Sequence, residues 1–548
     1  MNLNYIRLLI FLLGIALFVP GLGNVHLFDW DEINFAESAR EMLETGNFLQ
    51  VQINYQPFWE KPPLFMWLQA GSMQLFGVNE FAARLPNAIT GIITLIVIFE
   101  IGRKVQNTTQ ALIWVSLYTG SFLPHFYFKT GIIDPLFNLL IFIGIYFIYK
   151  SFISTEKIRK NIMNATLSGV FIGLAMLTKG PVALLISGLT ITIFLAFNSS
   201  HFFRKIGLLV FFTFTSLATA MIWFGVETFV HGTWFLEEFI KYNIRLMNTE
   251  DAGHGQPFYY HPVVLLFGCF PASILFMAAL RKSILKQSNK LQTDFNILQV
   301  ILFFVVLILF SIVKTKIIHY SSLCYFPLTY LASRYIASII EQNSKIPIGV
   351  NIYILIIGLL FSAILIVLGL ITRFRDDIVP YILDPFAVEN ICMDVQWNGY
   401  EFIVGIFTFI GLIISVLNYK KPIFFIYTIT ITCCLTLQLA LYLFAPKVEA
   451  HVQGSLIEFF KSKKNEDCYV QAVGFKSYAQ YFYTDRKPGY SKDTLHFNES
   501  WLMYDTIDKP AYFVTKCDRD YYRTNPEMKL INEKGGFVMY KRNKRLTN

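Results

Sequence analysis

The sequence predicts an α-helical polytopic membrane protein, and three observations carry that prediction. Of the 548 residues, 55% are hydrophobic and only 15% are charged, whereas soluble domains usually carry about a quarter charged residues. Long apolar runs recur along most of the chain, and a helix needs roughly 20 apolar residues to cross the hydrocarbon of a bilayer. Charge rises sharply only near the C-terminus, so a small soluble domain is expected after the helices.

Thirteen apolar runs are candidate membrane spans. The first contains Arg7 and an apolar run but is not followed by a small-x-small cleavage site, so we expect it to be a retained anchor rather than a signal peptide. The runs lie near residues 5–25, 84–102, 109–126, 131–149, 163–178, 181–198, 207–230, 261–280, 296–313, 319–337, 347–371, 401–417 and 422–445.

Lysine and arginine predict the orientation, because they accumulate in short cytoplasmic loops. If the N-terminus is cytoplasmic, the inside loops hold basic residues from Arg103 and Lys104 to Lys420 and Lys421. The opposite loops have fewer basic residues relative to their length and hold most of the acids and histidines. Thirteen spans then place the C-terminus on the outer side. The net charge of +9 reflects this bias, and its scatter over separate loops argues against a nucleic-acid partner.

The segments outside the spans differ in character. The first outer loop, about 26–83, contains two amphipathic stretches, "FDWDEINFAESAREMLETG" and "LFMWLQAGSMQLFG", which predict surface helices that end at Gly46 and Gly77. In the last part, "DCYVQAVGF" and "AYFVTKC" alternate like strands. We therefore divide the chain into a transmembrane domain, 1–445, and a soluble α/β domain, 446–548.

Cysteine usage leaves one question open. Cys468 and Cys517 both fall in the predicted soluble domain, where an oxidising compartment would allow a disulfide. Sequence alone does not show whether the two residues are close enough to pair.

Four polar groups lie on the predicted outer face. Taken singly, each has a structural explanation, because acids and lysines at helix ends often cap or snorkel. Together they indicate an outer cavity, because ionisable groups near the bilayer tend to mark function. The groups are Asp29, Asp31 and Glu32; Glu60 and Lys61; Lys129, Asp134 and Lys179; and His254, Lys314, Lys316, His319 and Tyr320.

The stretch "FWEKPP" combines an acid, a lysine and two prolines. Proline fixes its own backbone and pushes the preceding residue into an extended conformation, so Lys61 is held rigidly where a lipid phosphate would bind. A neighbouring Glu60 suits such a place if a cation sits between carboxylate and phosphate. Glu60, His254 and a phosphate oxygen would suit a divalent ion such as zinc, magnesium or manganese.

Five stretches together carry a family resemblance: "DWDEINFAESAREMLETGNFL", "FWEKPPLFMWLQAGSMQLFGVNEFAARLPNAITG", "TKGPVALLI", "GHGQPFYY" and "KTKIIHY". They resemble bacterial GT-C membrane glycosyltransferases, the aminoarabinose transferases of lipid A and the related protein O-mannosyltransferases. The resemblance implies a GT-C fold in the inner membrane, with the active site and the C-terminal domain facing the periplasm. It also implies a multi-pass enzyme of the cell envelope.

The resemblance implies an inverting single displacement. A monosaccharide would leave a polyprenyl-phosphate carrier for an acceptor that is lipid A, a glycan, a glycolipid or a protein, among membrane lipids and without a nucleotide cofactor. The implied roles are catalytic for Asp31, Asp134 and Lys179, substrate-binding for Glu32, Lys61, Lys314, Lys316 and Tyr320, and metal-binding for Glu60 and His254.

The sequence departs from the aminoarabinose transferases beside the catalytic acid. Those enzymes commonly read D-E-T-R-Y where this chain reads "DEINF", so Asn34 replaces arginine and Phe35 replaces tyrosine. This loss of a charge leaves the acceptor open between a lipid A phosphate and a hydroxyl. Asp31 would act as a general base for a hydroxyl but would only orient a phosphate, which is already anionic.

Two other classes of protein fit the composition. A transporter or lipid flippase would commonly show paired repeats, and the sequence contains no internal repeat. A non-catalytic assembly partner would not need clustered acids and lysines on one face.

Overall fold

The computed structural model describes residues 2–153, 158–197, 202–250, 255–490, 499–520 and 522–544. The first half of the chain is helical apart from one short hairpin. Its helices are α1 (Leu3–Phe18), α2 (Asp31–Thr45), α3 (Leu64–Phe76), α4 (Glu80–Val105), α5 (Thr108–Thr119), α6 (Phe122–Phe126), α7 (Asp134–Ile153), α8 (Ile158–Lys179), α9 (Val182–Phe197), α10 (Phe202–His231), α11 (Trp234–Asn248), α12 (Tyr260–Gly268) and α13 (Ala272–Ala279).

The second half continues the helical bundle and ends in a sheet. Its longer helices are α15, α16, α17, α20 and α21. The elements are α14 (Lys282–Leu285), α15 (Lys290–Ile312), a 3-10 helix (Ile318–Cys324), α16 (Tyr325–Glu341), α17 (Ile348–Leu370), α18 (Arg375–Ile378), α19 (Pro385–Cys392), α20 (Ile403–Leu417), α21 (Pro422–Leu443), α22 (Ala445–Glu449), α23 (Ser455–Ser462), α24 (Ala479–Tyr483) and α25 (Glu499–Tyr504).

Seven helices in the described part of the chain are long and apolar enough to cross a membrane: α4, α7, α8, α10, α15, α17 and α21. Helices α12 and α13 together form an eighth candidate, bent by 114° at their break, and α1, α9 and α20 are shorter apolar helices. Each of the thirteen predicted runs overlaps at least one helix. The multi-pass architecture is therefore confirmed, whereas the number of crossings and the orientation stay predictions.

The predicted apolar run 109–126 does not form one continuous membrane-spanning helix. Helix α5 has only 12 residues, about 18 Å at 1.5 Å per residue, and it ends at Gly120. A side chain at Gly120 would collide with the backbone of Thr430 in α21. The two segments approach closely where α5 ends, and the short α6 follows as a separate helix.

The first outer loop has the two predicted helices, with a hairpin between them. Helix α2 ends at Gly46 in the left-handed conformation, with φ of 70°, which glycine adopts without strain. Strands β1 (Gln52–Ile53) and β2 (Gln56–Pro57) pair antiparallel, and Asn54 and Tyr55 have the positive φ of a tight hairpin turn. Helix α3 then starts directly after Pro63.

The C-terminal region contains a four-stranded mixed sheet, as the alternating stretches predict. The strands are β3 (Tyr469–Ala472), β4 (Ala511–Lys516), β5 (Lys529–Lys534) and β6 (Phe537–Arg542), in the order β3-β4-β6-β5. Strands β3 and β4 are parallel, with Tyr469 opposite Ala511, and the other pairs are antiparallel.

The register of this sheet shows whether Cys468 and Cys517 are close enough to form a disulfide. Cys468 directly precedes β3 and therefore lies beside Pro510, whereas Cys517 follows the far end of β4. The six residues of β4 lie between Pro510 and Cys517, so these positions are about 23 Å apart along the strand, far beyond disulfide reach. Both cysteines are free thiols.

Buried polar contacts fix the C-terminal region onto the first outer loop. Arg40 of α2 is fully buried, pairs with Glu37 at 2.6 Å and donates to the backbone carbonyl of Arg486 at 2.8 Å. Arg486 in turn donates to Oδ1 of Asn54 at 2.7 Å. The backbone N–H of Leu27 donates to the hydroxyl of Tyr483 at 2.8 Å. Because these contacts bury α2 on nearly every side, the C-terminal region forms one wall above the helix that begins at Asp31.

Candidate active site

A cavity of about 790 Å³ lies between the first outer loop, the ends of several long helices and the C-terminal region. It collects most of the residues to which the sequence analysis assigned roles. Those that line it are Asp31, Glu32, Glu60, Lys61, Asp134, Lys179 and Tyr320. Residues far apart in the sequence thus meet in one space, as the outer-face pattern predicts.

A chain of charged groups crosses the cavity. Nε2 of His319 lies 3.5 Å from Oδ2 of Asp31 and 3.8 Å from Oδ2 of Asp134. Nζ of Lys179 donates to Oδ1 of Asp134 at 2.5 Å and lies 4.9 Å from the ring centre of Tyr320. The side chain of Asp31 is 36% exposed and that of Asp134 only 3%. Asp31 can therefore reach a substrate, while Asp134 is held by its partners.

Local structure explains how this chain is assembled. Asp31 and Asp134 are the first residues of α2 and α7, where the positive end of a helix favours a carboxylate. Lys179 is the last residue of α8 and is followed by Gly180 with φ of 93°. A side chain at Gly180 would collide with the ring of Phe239 in α11, so the glycine allows α8 to turn beneath α11.

Two cations flank one aromatic ring on another wall. Nζ of Lys61 and the guanidinium carbon of Arg245 lie 4.9 Å and 5.2 Å from the ring centre of Tyr242. Burial lowers the pKa of Lys61, although Glu60 and Asp31 oppose that shift. Arg245 and Tyr242 belong to α11 and received no role from sequence. The signal available for them was a basic and aromatic helix just before the "GHGQPFYY" stretch.

The resemblance implies that Glu32 binds substrate, and in the structure its carboxylate is bonded to other groups of the protein. Its carboxylate accepts two hydrogen bonds from Arg84, at 2.8 and 3.0 Å, and one each from the backbone N–H groups of Phe28 and Gly131. Burial alone would raise the pKa of Glu32, but Arg84 and the two N–H groups bring it below its usual value. Glu32 is thus held in place at the cavity edge, and its predicted substrate-binding role stays a prediction.

Lys314 and Lys316 are not among the residues that line the cavity. Their segment presents Thr315, Ile317 and Ile318 to it instead, while Lys314 is exposed and Lys316 is buried. The backbone N–H groups of Lys314 and Thr315 donate to carbonyls at the end of α11. The predicted phosphate contact of these two lysines stays a prediction.

The C-terminal region completes the cavity with residues that sequence reasoning missed. Lys476 and Tyr478 line it, and Nζ of Lys476 lies 4.3 Å from the ring centre of Trp30. The backbone N–H of Tyr478 donates to Oδ1 of Asp29 at 3.1 Å. Burial raises the pKa of Asp29, although Ser477, Tyr478 and Lys476 oppose that shift.

The predicted metal ligands are only partly placed. Glu60 lines the cavity, and His254 lies outside the described residues. Within the part of the chain that the structure describes, no group of three or more His, Cys, Asp or Glu side chains could hold a metal ion. Metal binding by Glu60 and His254 stays a prediction.

Comparison with known proteins agrees with this architecture. Residues 60–224 match the family model of dolichyl-phosphate-mannose-protein mannosyltransferases. An uncharacterised protein of Aquifex aeolicus is 30% identical over 337 residues, 60% of this chain and 74% of that protein. An undecaprenyl phosphate-alpha-4-amino-4-deoxy-L-arabinose arabinosyl transferase of Shewanella sediminis is 27% identical over 341 residues. That match spans 60% of this chain and 60% of the Shewanella protein.

Solved structures show the same fold. The apo crystal structure of ArnT from Cupriavidus metallidurans superposes with a TM-score of 0.77 and covers 98% of both chains at 15% identity. The archaeal oligosaccharyltransferase AglB of Archaeoglobus fulgidus has a TM-score of 0.52 at 10% identity, over 94% of this chain and 69% of that one.

The fold and the charged outer cavity define a polytopic membrane glycosyltransferase. The chain belongs to the GT-C family of these enzymes, within its aminoarabinose-transferase-like group. The family resemblance and the fold class predicted from the sequence are therefore confirmed.

Proposed function

We propose that the protein transfers a monosaccharide, a pentose or a hexose, from an undecaprenyl-phosphate carrier to an acceptor at the periplasmic face of the inner membrane. The observation that carries the proposal is the cavity, in which the accessible carboxylate of Asp31 shares one space with Lys61 and Arg245. Its volume of about 790 Å³ is within the range of small-molecule sites. The periplasmic assignment rests on the bias of lysine and arginine between alternate loops.

Lys61 and Arg245 would bind the carrier phosphate. Breaking the bond between sugar and phosphate leaves extra negative charge on the phosphate, and preorganised cations stabilise such charge strongly in a partly dry site. Both side chains line the cavity, 4.9 Å and 5.2 Å from the ring centre of Tyr242, and would approach the same anion. A second structure of the Cupriavidus enzyme, bound to undecaprenyl phosphate, shares this fold with a TM-score of 0.76 and supports a lipid phosphate as the ligand.

Asp31 would act on the acceptor. An acceptor hydroxyl attacks the anomeric carbon, its proton passes to Asp31, and the phosphate leaves from the opposite side with inversion. His319 contacts both Asp31 and Asp134 and would hold Asp31 in position. Lys179 balances the charge of Asp134. If the acceptor is a phosphate, the same geometry orients it and no proton is transferred.

We favour a hydroxyl on a glycan, glycolipid or protein as the acceptor, because Asn34 provides no positive charge beside Asp31 for a phosphate. A lipid A phosphate is the second candidate, because the resemblance to the aminoarabinose transferases of lipid A implies it. Glu60, with His254, would hold a divalent cation that adds positive charge at the carrier phosphate.

The test is chemical analysis of a deletion strain and of purified protein. Mass spectrometry of lipid A, surface glycans and exported proteins should reveal one missing sugar, which the wild-type gene restores and Asp31→Asn does not. Asp376→Asn, an exposed acid outside the cavity, is the matched control and should restore it. A sugar missing from a lipid A phosphate would refute the hydroxyl preference. No change in any of the three fractions would refute the transferase function and favour a transporter.

A further inference from the structure

Asn34 lies at the wall of the cavity, and its side-chain amide has one unsatisfied atom. It is 5% exposed, lines the cavity, and its Oδ1 atom has no hydrogen-bond partner among the described residues. Buried polar side-chain atoms in folded proteins nearly always have a partner, and an unpaired one costs about 1–3 kcal/mol. An unpaired buried amide at the wall of a cavity therefore points to a ligand group that completes it.

The surroundings of Asn34 leave its amide available. Its backbone N–H donates to Trp30, and its backbone carbonyl accepts from Ser38, so the main chain already fixes this turn of α2. The nearby acid Glu32 is occupied by Arg84. An amide has an acceptor oxygen and a donor nitrogen, and either of them is an uncharged hydrogen-bonding group.

Spacing indicates what the amide would meet. Asn34 follows Asp31 by three residues on α2, so the two side chains lie on one face with their Cβ atoms about 5–6 Å apart. That distance is comparable with the width of one sugar ring. A sugar whose anomeric carbon reacts beside Asp31 would place a ring hydroxyl near Asn34.

We propose that Asn34 is a specificity-determining residue whose amide hydrogen-bonds a hydroxyl of the transferred sugar. This rests on the proposed transferase function. The group that it recognises is a neutral hydroxyl, because the amide carries no charge and the carboxylate of Glu32 is already paired. The protein would accordingly select a sugar by the position of that hydroxyl.

The experiment uses the full-length protein in liposomes. The donors are undecaprenyl-phosphate-linked mannose and 4-amino-4-deoxy-arabinose, and the accepted one is compared with its monodeoxy analogues. We expect the wild-type protein to discriminate against one analogue by about 10- to 100-fold in kcat/KM, the range that one unsatisfied buried group produces. Asn34→Leu, which removes the hydrogen bond at similar size, should reduce that ratio to near one.

Controls separate this role from a structural one. Asn164→Leu makes the same change at another buried amide with an unpaired atom, in α8 and not among the cavity-lining residues, and should leave the ratio unchanged. Asn34→Asp retains acceptor oxygens and should keep the discrimination, which provides a test even if Asn34→Leu does not fold.

The outcomes separate the two proposals. Unchanged discrimination in folded Asn34→Leu would overturn the role of Asn34 while leaving the transferase function intact. If the wild-type protein transfers sugar from neither donor and the deletion strain loses no sugar, the proposed function itself fails.

Discussion

Nε2 of His319 lies 3.5 Å from Oδ2 of Asp31. The same nitrogen is 3.8 Å from Asp134, so the imidazole bridges the accessible carboxylate and the buried one. His319 comes from the 3-10 helix before α16, and Asp31 comes from the first outer loop. The orientation of the proposed base thus depends on a residue from a distant part of the chain.

Replacing His319 with alanine should lower kcat for sugar transfer by about 100-fold, because misplacing a reacting group by about 1 Å can cost that much. The KM for the donor should change little, since Lys61 and Arg245 remain. Steady-state assays in liposomes measure both constants. His231→Ala, at the end of α10 and paired with Glu227, is the matched control. Near-normal kcat in His319→Ala would show that Asp31 needs no such support.

Lys61→Ala should reduce turnover by about 10²- to 10³-fold, the loss typical of removing one group that stabilises transition-state charge. The protein should still fold, which size-exclusion chromatography and thermal unfolding would check. Lys241→Ala removes an exposed lysine of α11 that pairs with Glu238 and should have little effect. Near-normal transfer by Lys61→Ala would exclude the phosphate role.

The pH dependence of transfer should report on Lys61. Burial lowers its pKa, so the side chain loses its proton, and its charge, at a lower pH than an ordinary lysine does. Activity should therefore decline on the alkaline side before pH reaches the usual range of lysine. Lys61→Arg, whose guanidinium stays charged, should move this decline to higher pH. An alkaline limb that does not move in Lys61→Arg would assign it to another group.

Arg84→Met should destabilise the folded protein by about 3–5 kcal/mol, because it leaves the buried carboxylate of Glu32 without its partner. The double variant Arg84→Met with Glu32→Gln should recover part of that loss. Thermal unfolding in detergent gives the comparison. Arg7→Ala, which breaks a more exposed pair with Glu100, should change the unfolding temperature far less. Equal shifts in the two single variants would argue against a structural role of the Glu32–Arg84 pair.

Lys476→Ala should weaken the binding of an acceptor that carries an anionic group. Lys476 is exposed at the cavity and lies over Trp30, so its loss should raise the KM for such an acceptor by about tenfold, the value of one charge-assisted hydrogen bond. The KM for the donor should stay the same. Lys509→Ala, in the same C-terminal region and paired with Asp467, is the control. A higher donor KM would instead place the carrier phosphate at Lys476.

The sequence predicted local features well because local chemistry determines them. Apolar runs marked the helices, Gly46 marked the end of α2, and alternation marked β3 and β4. Asp31 and Asp134 were found because acids at helix starts are conspicuous. Arg245 and Lys476 were missed because their place at the cavity depends on how α11 and the C-terminal region pack. Lys314 and Lys316 were singled out by sequence but are not among the residues that line the cavity. A motif in an irregular segment does not predict which of its side chains face a cavity.

The hydrogen bond from the backbone N–H of Tyr478 to Asp29 joins two parts of the chain that are synthesised at different times. Its two residues are 449 positions apart in the chain. During synthesis, Asp31 enters the membrane interface almost first, but the wall above it is among the last parts made. A nascent chain therefore carries Asp31 long before the cavity has its C-terminal wall, so a chain that terminates early would have an open, incomplete cavity.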